Sequence, residues 1–221
     1  MATVPPLGIP VHLIQQYYIP SDETRCAEVK KCLSQNISNP EISKIHLLNE
    51  RDYAPNDLQA SDKIIQTVLG KRLTYEDVFR YASSITERCF LLVSNSDIYF
   101  DSSLAEVQRM DFMDGKACQA LLRWECSTRR LFGPRPDSQD VWVFEYSPGL
   151  PVVPHKYMKY FDFELGRPGC DNKVAYALDL MRMRVFNEPN RIRTWHLHSN
   201  PRRQYGLPPV RPPYATIEPQ L

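Results

Sequence analysis

Residues 89–101, CFLLVSNSDIYFD, decide the fold class because an apolar run is followed at once by a polar turn. A continuous apolar run such as residues 89–93 is typical of a strand covered on both faces in the middle of an α/β sheet. Asn95, Ser96 and Asp97 follow at the point where that strand should end. Ligands of open α/β sheets bind at the carboxyl ends of the strands. The triplet is therefore the first place where we expect a functional site.

Strands and helices alternate on either side of this run. Short apolar or alternating stretches predict further strands at residues 11–14, 44–48, 116–124, 140–146 and 194–198. Helices are predicted after Ser21, after Thr74 and from Asp171, because each of these residues can cap a helix whose apolar positions recur at helical spacing. The alternation indicates an α/β fold.

Length and composition set the domain count and exclude some classes of function. The 221 residues suit one domain, which we place at residues 1–200, followed by a tail at residues 201–221. Six of those last 21 residues are proline, which predicts an extended tail that does not pack. With 27 basic and 26 acidic residues, the chain has no global field that would favour nucleic acid. Only 8 glycines are present, and no glycine-rich phosphate loop occurs among them.

Cysteines and hydropathy give the expected compartment. The six cysteines are spread singly, without a C-x-x-C pair, so we expect reduced thiols and no zinc ribbon. There is no signal-peptide pattern, and no apolar stretch approaches the ~20 residues that a membrane helix needs. We therefore expect a soluble, cytoplasmic protein without a transmembrane segment.

Two groups of residues have the donor atoms that a metal site requires. Asn95 and Asp97 lie two apart and can present oxygen ligands for Mg²⁺ or Mn²⁺ on one side of the chain. His196 and His198 have the same spacing in the last predicted strand and can bind a metal or contact a phosphate. The ordinary alternatives are an Asx turn for the first pair and two surface histidines for the second.

Three more positions carry weaker signals. Asp171 is either a general base facing a cleft or simply the N-cap of its helix, and the cap is the stronger interpretation. Arg72 can meet a phosphate, although exposed arginines beside a helix start are equally common. Residues 138–140, which end in Asp140, are interpreted as an ordinary turn before a strand.

Four segments in order resemble a known enzyme family. They are SNSDIYFDSSL from Ser94, RPDSQDVWVF from Arg135, ELGRPGCDNKVAYAL from Glu164 and TWHLHSNPRRQY from Thr194. Together they resemble the nucleotide-sugar glycosyltransferases of the GT-A fold, over roughly residues 11–205. The resemblance is closest to the small glycosyltransferase domains encoded by large algal viruses. It implies a single-domain, Rossmann-like mixed sheet flanked by helices.

The resemblance also implies roles for individual residues. Asn95-Ser96-Asp97 matches the metal-binding D-x-D motif, with Asp97 as principal ligand and Asn95 replacing the first aspartate. His196 or His198 matches a late histidine that touches the metal or the diphosphate, and Asp171 matches the base of inverting members. Gln16, Tyr17 and Glu50 match the positions where the family holds the nucleotide base and ribose. Arg72 is added to this cofactor-binding set from its own chemistry, as a phosphate contact.

The implied reaction is transfer of a sugar from a nucleoside-diphosphate sugar, with UDP as the expected nucleotide, to the hydroxyl of a glycan or another acceptor. Mn²⁺ or Mg²⁺ would neutralise the leaving group, and direct displacement would invert the anomeric carbon. Two alternatives stay open. One is a metal-dependent phosphohydrolase or nucleotidyltransferase, and the other is an inactive glycan- or protein-binding module that uses the proline-rich tail.

Overall fold

The computed structural model of the chain describes residues 8–199 and 208–221. Its centre is a seven-stranded sheet in the order β10-β6-β9-β4-β1-β2-β3, in which only β9 runs antiparallel to its neighbours. The strands are β1 (Val11–Gln15), β2 (Ile42–Asn49), β3 (Ile64–Val68), β4 (Cys89–Ser94), β6 (Ala117–Leu121), β9 (Val141–Tyr146) and β10 (Arg184–Phe186). As the apolar run predicts, β4 is central and buried along its whole length.

A second, four-stranded sheet has the order β5-β11-β7-β8. It consists of β5 (Ile98–Phe100), β7 (Trp124–Glu125), β8 (Arg130–Leu131) and β11 (Thr194–His196). Because β5 begins four residues after the end of β4, this small sheet continues from the carboxyl end of the central strand. The polar triplet therefore lies between the two sheets.

Three α-helices flank the large sheet: α1 (Glu23–Ser38), α2 (Tyr75–Ala82) and α3 (Cys170–Leu180). Two 3₁₀ helices, Ser102–Arg109 and His155–Tyr160, complete the regular elements among the described residues. The predicted capping box at the start of α2 is present, with Thr74 Oγ1 accepting from the Asp77 N–H at 3.1 Å.

Alternation along the strands divides the core into two layers. Leu91 and Val93 of β4 pack with Phe79 of α2 on one face of the sheet. Phe90 and Leu92 pack with Val29 and Leu33 of α1, among others, on the opposite face. The sheet is thus covered on both sides, as the uninterrupted apolar sequence of β4 requires.

Several predicted boundaries are corrected by the structure. Asp22, not Ser21, caps α1, because its Oδ1 accepts from the Arg25 N–H at 2.7 Å. Gly169, with φ of 77°, occupies the N-cap of α3, so Asp171 lies in the first turn and is not the cap. The predicted strand 116–124 ends at Leu121, the predicted strand 194–198 ends at His196, and β3 was not predicted.

The C-terminal segment 208–221 has no regular secondary structure, yet it packs against the domain, so the prediction of an unpacked tail is wrong here. Val210 and Ile217 are buried in the core. The backbone N–H groups of Val210, Ala215 and Ile217 donate to carbonyls of residues 168, 172 and 136. The first part of the tail, residues 201–207, lies outside the described residues.

The six cysteines are free thiols. None of the helices within residues 8–199 and 208–221 has the length and hydropathy needed to cross a bilayer.

Candidate active site

Asp97 lies at the carboxyl end of the central strand, just beyond β4. The 3.3 Å hydrogen bond from the Ile98 N–H to the Asn95 carbonyl closes the turn that carries it. Its side chain is only 12% exposed, and its Oδ1 is buried without a hydrogen-bond partner among the described residues. A buried carboxylate requires compensating positive charge, and two residues from other elements provide it.

His196 reaches Asp97 because of the register of the small sheet. Its backbone pairs with Ile98 on one side and with Glu125 on the other. The imidazole therefore lies between two carboxylates, with Nε2 at 3.2 Å from Asp97 Oδ2 and Nδ1 at 3.0 Å from Glu125 Oε2. Burial by itself would lower the pKa of His196, but the hydrogen bonds to Asp97 and Glu125 outweigh it and raise that pKa to about 9.

Arg25 in the first turn of α1 is the second positive partner. Its Nη2 donates to Asp97 Oδ2 at 2.6 Å, and its Nη1 lies 3.3 Å from Nδ1 of His198. The ring of His198 stacks on that of His196, with centroids 5.6 Å apart and planes within 9° of parallel. Burial raises the pKa of Asp97, but the pairs with His196 and Arg25 prevail and hold it well below its usual range. Asp97 is therefore ionised at neutral pH.

A chain of buried ion pairs extends from His196 across the site. Glu125 accepts from Arg123 Nε at 2.7 Å, and Arg123 Nη1 donates to Asp140 Oδ2 at 2.8 Å. Asp140 in turn accepts from Asn95 Nδ2 at 3.3 Å. The register of β4 and β9 explains this last contact, because Ser94 pairs with Val141 and so places Asn95 beside Asp140.

Asp171 lies on the Asp140 side of this chain, partly buried at the start of α3. The thiol of Cys170 donates to its Oδ1 at 3.2 Å. Burial, followed by repulsion from Asp140, raises the pKa of Asp171 to about 7. A carboxyl group with such a pKa can gain and lose a proton at neutral pH, which is the property required of a general base.

Two of the predicted nucleotide residues, Gln16 and Arg72, lie in one region, because Gln16 contacts the backbone on both sides of Arg72. The side chain of Gln16 accepts from the Leu73 N–H at 3.2 Å and donates to the Lys71 carbonyl at 3.3 Å, so it fixes the segment that carries Arg72. A Cβ atom built on Gly166 would lie 3.4 Å from Asn95 Oδ1 and 3.8 Å from Arg72 Nη2.

The other two, Tyr17 and Glu50, follow β1 and β2. Tyr17 is buried, and its hydroxyl donates to the Asp57 carbonyl at 2.9 Å. Its ring lines a cavity of about 440 Å³ that also borders Leu33, Leu58 and Lys30. Glu50 is exposed directly after the end of β2.

One group of possible metal ligands occurs among the described residues: Asp97, His196 and His198, with donor atoms within 4.8 Å of one another. The free Oδ1 of Asp97 and the buried Nε2 of His198 have no hydrogen-bond partner in the described part of the chain, which fits a cation site. Carboxylate and imidazole are both ligands of Mn²⁺-type metals. Both nitrogens of His196, by contrast, already face carboxylates.

Three charged residues of the site were not predicted from the sequence: Arg25, Arg123 and Glu125. A fourth, Asp140, is interpreted from the sequence as part of an ordinary turn. For Asp140, the antiparallel pairing of β9 with β4 is the missing information, because it converts the expected turn into a neighbour of the triplet. Arg25 carries no sequence signal, since a helix of this kind commonly bears several exposed basic residues.

No protein-family model matches the sequence, and no curated protein matches it either. Solved structures do. The mannosyltransferase PcManGT from Pyrobaculum calidifontis, in complex with GDP-Man and Mn²⁺, matches 92% of this chain with a TM-score of 0.52 and 11% identity. The glycosyltransferase GlyE of Streptococcus pneumoniae matches 83% with a TM-score of 0.51 and 14% identity.

The chain spans 61% and 46% of the length of these two glycosyltransferases. The inositol-1-phosphate CTP transferase from T. maritima matches with a lower TM-score of 0.46 and 12% identity, over 86% of this chain and 89% of its own. At such identities the likeness to the two glycosyltransferases concerns the fold. Together with the mixed sheet and the polar carboxyl end of β4, it shows that this polypeptide has a GT-A-type α/β fold.

Proposed function

We propose that the chain is a glycosyltransferase that moves a sugar from a nucleoside-diphosphate sugar to an acceptor hydroxyl. The observation that carries this proposal is the ionised Asp97 at the carboxyl end of β4, grouped with His196 and His198 in a GT-A-type fold. The ends of the central strands are where ligands of such sheets bind. On the sequence resemblance alone, we further propose hexosyl transfer from a UDP donor and relatedness to the algal viral domains.

The donor would lie along the carboxyl edge of the sheet. In this proposal Asn95, Asp97, Gln16 and Arg72 face the diphosphate and the sugar. Tyr17 and Glu50 would bind the nucleoside, and the cavity of about 440 Å³ beside Tyr17 supports this assignment because pockets of ~300–1,000 Å³ hold ligands of that size.

A divalent cation, Mn²⁺ or Mg²⁺, would be held by Asp97 and His198, with His196 and Asn95 close by. When bound, it would neutralise charge on the leaving diphosphate. The protein contributes His196, which is held as a cation between Asp97 and Glu125 and orients the Asp97 carboxylate. It also contributes Arg72, whose Nη2 donates to the Leu165 carbonyl at 3.2 Å near Asn95.

Asp171 would take the proton of the acceptor hydroxyl. Its burial and its neighbour Asp140 keep its pKa near neutrality, so that it is a stronger base than an ordinary aspartate. Attack by the hydroxyl from the side opposite the diphosphate would form the new glycosidic bond while the bond from the anomeric carbon to the diphosphate oxygen breaks. The nucleoside diphosphate would leave with that electron pair, and the anomeric carbon would be inverted. We place this chemistry in residues 1–200, and within the tail 201–221 we assign the described segment 208–221 to the support of α3.

The experiment is a panel of nucleoside-diphosphate sugars, with release of the nucleoside diphosphate measured in the presence and absence of Mn²⁺. We expect one donor at least to be turned over, with a requirement for a divalent cation, and loss of metal-dependent binding in Asp97→Ala. Asp137→Ala, which removes an exposed carboxylate paired with Arg135, is the matched control. Absence of both binding and turnover for every donor would refute the proposal.

A further inference from the structure

Arg25 contacts two of the three residues of the candidate metal group. Its Nη2 is 2.6 Å from Asp97 Oδ2, and its Nη1 is 3.3 Å from His198 Nδ1. The guanidinium is thus one of the two cations that Asp97 already pairs with, the other being His196. A divalent ion that approached Asp97 and His198 would meet this fixed positive charge at close range, where repulsion is strong.

Further hydrogen bonds fix the position of Arg25, one of them to another residue of α1. Its Nη1 also lies 3.0 Å from Glu28 Oε2, one turn along the helix, and 3.3 Å from the carbonyl of Leu197. Glu28 accepts the backbone N–H of Ser199 through its other oxygen. Arg25 and Glu28 therefore fix the position of residues 197–199 by contacts with the residues before and after His198.

A diphosphate offers the guanidinium an alternative partner. Arginine binds phosphate oxygens through two parallel charge-assisted hydrogen bonds, and this geometry suits it better than a carboxylate shared with a histidine. Arg25 is 20% exposed, so an anion can reach it at the edge of the site. Transfer of the guanidinium from Asp97 to a phosphate would leave Asp97 and His198 available to a cation.

We propose that Arg25 competes with a divalent cation for Asp97 and His198 in the free protein. When the donor binds, Arg25 moves to its diphosphate, so that the divalent cation and the nucleoside diphosphate bind cooperatively. This second statement rests on the proposed function, whereas the competition between Arg25 and the cation does not. By linkage, the factor by which the nucleotide raises cation affinity equals the factor by which the cation raises nucleotide affinity.

The test measures Mn²⁺ binding directly, from the loss of the free-ion signal in electron paramagnetic resonance. The full chain is compared with Arg25→Met and with Lys31→Met, which removes an exposed positive charge from the same helix. We expect Arg25→Met to bind Mn²⁺ alone about tenfold more tightly than the wild type, because a charge-assisted competitor is gone. Lys31→Met should stay within about threefold of it.

The same titration is repeated with UDP, after allowance for the Mn²⁺–UDP complex in solution. UDP should raise the Mn²⁺ affinity of the wild type by a clearly larger factor than that of Arg25→Met. If Arg25→Met bound Mn²⁺ no more tightly than Lys31→Met does, the proposed competition between Arg25 and the cation would be refuted. An equal effect of UDP on both proteins would overturn the transfer to the diphosphate.

Melting curves would reveal a folding defect in Arg25→Met, and Arg25→Lys is a second variant for that case. A lysine keeps the charge but cannot contact Asp97 and His198 together, so the Mn²⁺ affinity of Arg25→Lys should lie between those of the wild type and Arg25→Met. A Mn²⁺ affinity of Arg25→Lys equal to that of the wild type would contradict the proposal. Tighter Mn²⁺ binding by Arg25→Met without turnover of any donor would support the competition while the proposed enzyme activity fails.

Discussion

At the scale of single residues, Asp171 carries the most specific chemistry. In an unfolded chain its pKa would be near 3.8, and in the folded protein burial and the neighbouring Asp140 raise the pKa to about 7. The fold therefore keeps a carboxylic acid partly protonated at neutral pH. As the pH rises through 7, the loss of this proton should therefore increase activity and decrease stability.

For activity, we predict that kcat rises with pH as Asp171 loses its proton. The increase should be about tenfold between pH 6 and pH 8, with a midpoint near 7, because the deprotonated fraction changes by that factor. Asp171→Asn should lower kcat by about 10²- to 10⁴-fold and leave no such pH dependence. A wild-type profile that is flat from pH 6 to pH 8 would argue against Asp171 as the base.

For stability, the raised pKa means that the folded state binds a proton that the unfolded state releases. The stabilising contribution of the neutral carboxyl is complete below about pH 4 and is lost as pH rises through 7. Asparagine resembles the protonated form at every pH. Asp171→Asn should therefore melt roughly 10 °C above the wild type at pH 8, since about three pKa units correspond to about 4 kcal/mol, and together with it at pH 4, as measured by calorimetry. Lower stability of the variant at pH 8 would contradict this view.

At the scale of elements, the C-terminal segment 208–221 supports the start of α3. Its Ala215 N–H donates to the Asn172 carbonyl, while Asn172 Nδ2 donates back to the Ala215 carbonyl. A Cβ atom on Gly169 would lie 2.9 Å from the hydroxyl oxygen of Tyr214. The segment is thus fitted against the residue that precedes Cys170 and Asp171.

A comparison of two glycines distinguishes the effect of the Tyr214 contact from the effect of backbone strain. Gly169 and Gly70 have φ of +77° and +73°, but a Cβ on Gly70 meets no atom of the described residues within 4 Å. Both alanine variants should lose about 1 kcal/mol or more of stability from the strained backbone. Gly169→Ala should lose more and should also lower kcat, because Tyr214 must shift. Equal losses of stability in chemical denaturation, with unchanged kcat, would show that the tail does not position Asp171.

Asn187 joins the same segment to the large sheet. It is fully buried, accepts the Leu122 N–H at 3.0 Å and donates to the Ile217 carbonyl at 3.3 Å. Asn187→Ala leaves a buried N–H and a carbonyl without their partner, which should cost about 1–3 kcal/mol in a urea titration. A cost below about 0.5 kcal/mol would mean that water replaces these bonds.

Local patterns predict the elements well where propensity and burial agree. The run at residues 89–93 identifies the central strand, and Thr74 with Asp77 identifies the start of α2. The sequence is misleading at Asp171, which it predicts as the helix N-cap. Asp171 lies two residues after the actual N-cap, Gly169, which adopts a left-handed conformation. Strand β3 is missed because its residues are only half-buried or exposed at the edge of the sheet.

The predicted site residues are placed by topology that no local pattern contains. His196 meets Asp97 only because β11 lies between β5 and β7, and Asp140 meets Asn95 only because β9 runs antiparallel to β4. Arg25 belongs to a helix distant in sequence from all of them. The oxygen and nitrogen ligands could therefore be proposed from the sequence, whereas the cations and carboxylates that control their charge could not.

At the scale of the whole molecule, buried charges converge at the carboxyl edge of the large sheet. Arg25, Asp97, His196, Glu125, Arg123 and Asp140 form one continuous series of ion pairs from α1 to β9. Buried ion pairs are weak contributors to stability, since desolvation offsets much of their attraction. Their concentration at this one edge is better explained by the handling of a charged ligand.

The most direct test of this account is a crystal structure of the chain with Mn²⁺ and a non-hydrolysable nucleoside-diphosphate sugar, in which anomalous scattering locates the metal. We predict Mn²⁺ bound to Asp97 and His198, the diphosphate against the metal, and the anomeric carbon facing Asp171. A nucleotide bound elsewhere on the molecule, or a metal that does not touch Asp97, would contradict the central claim.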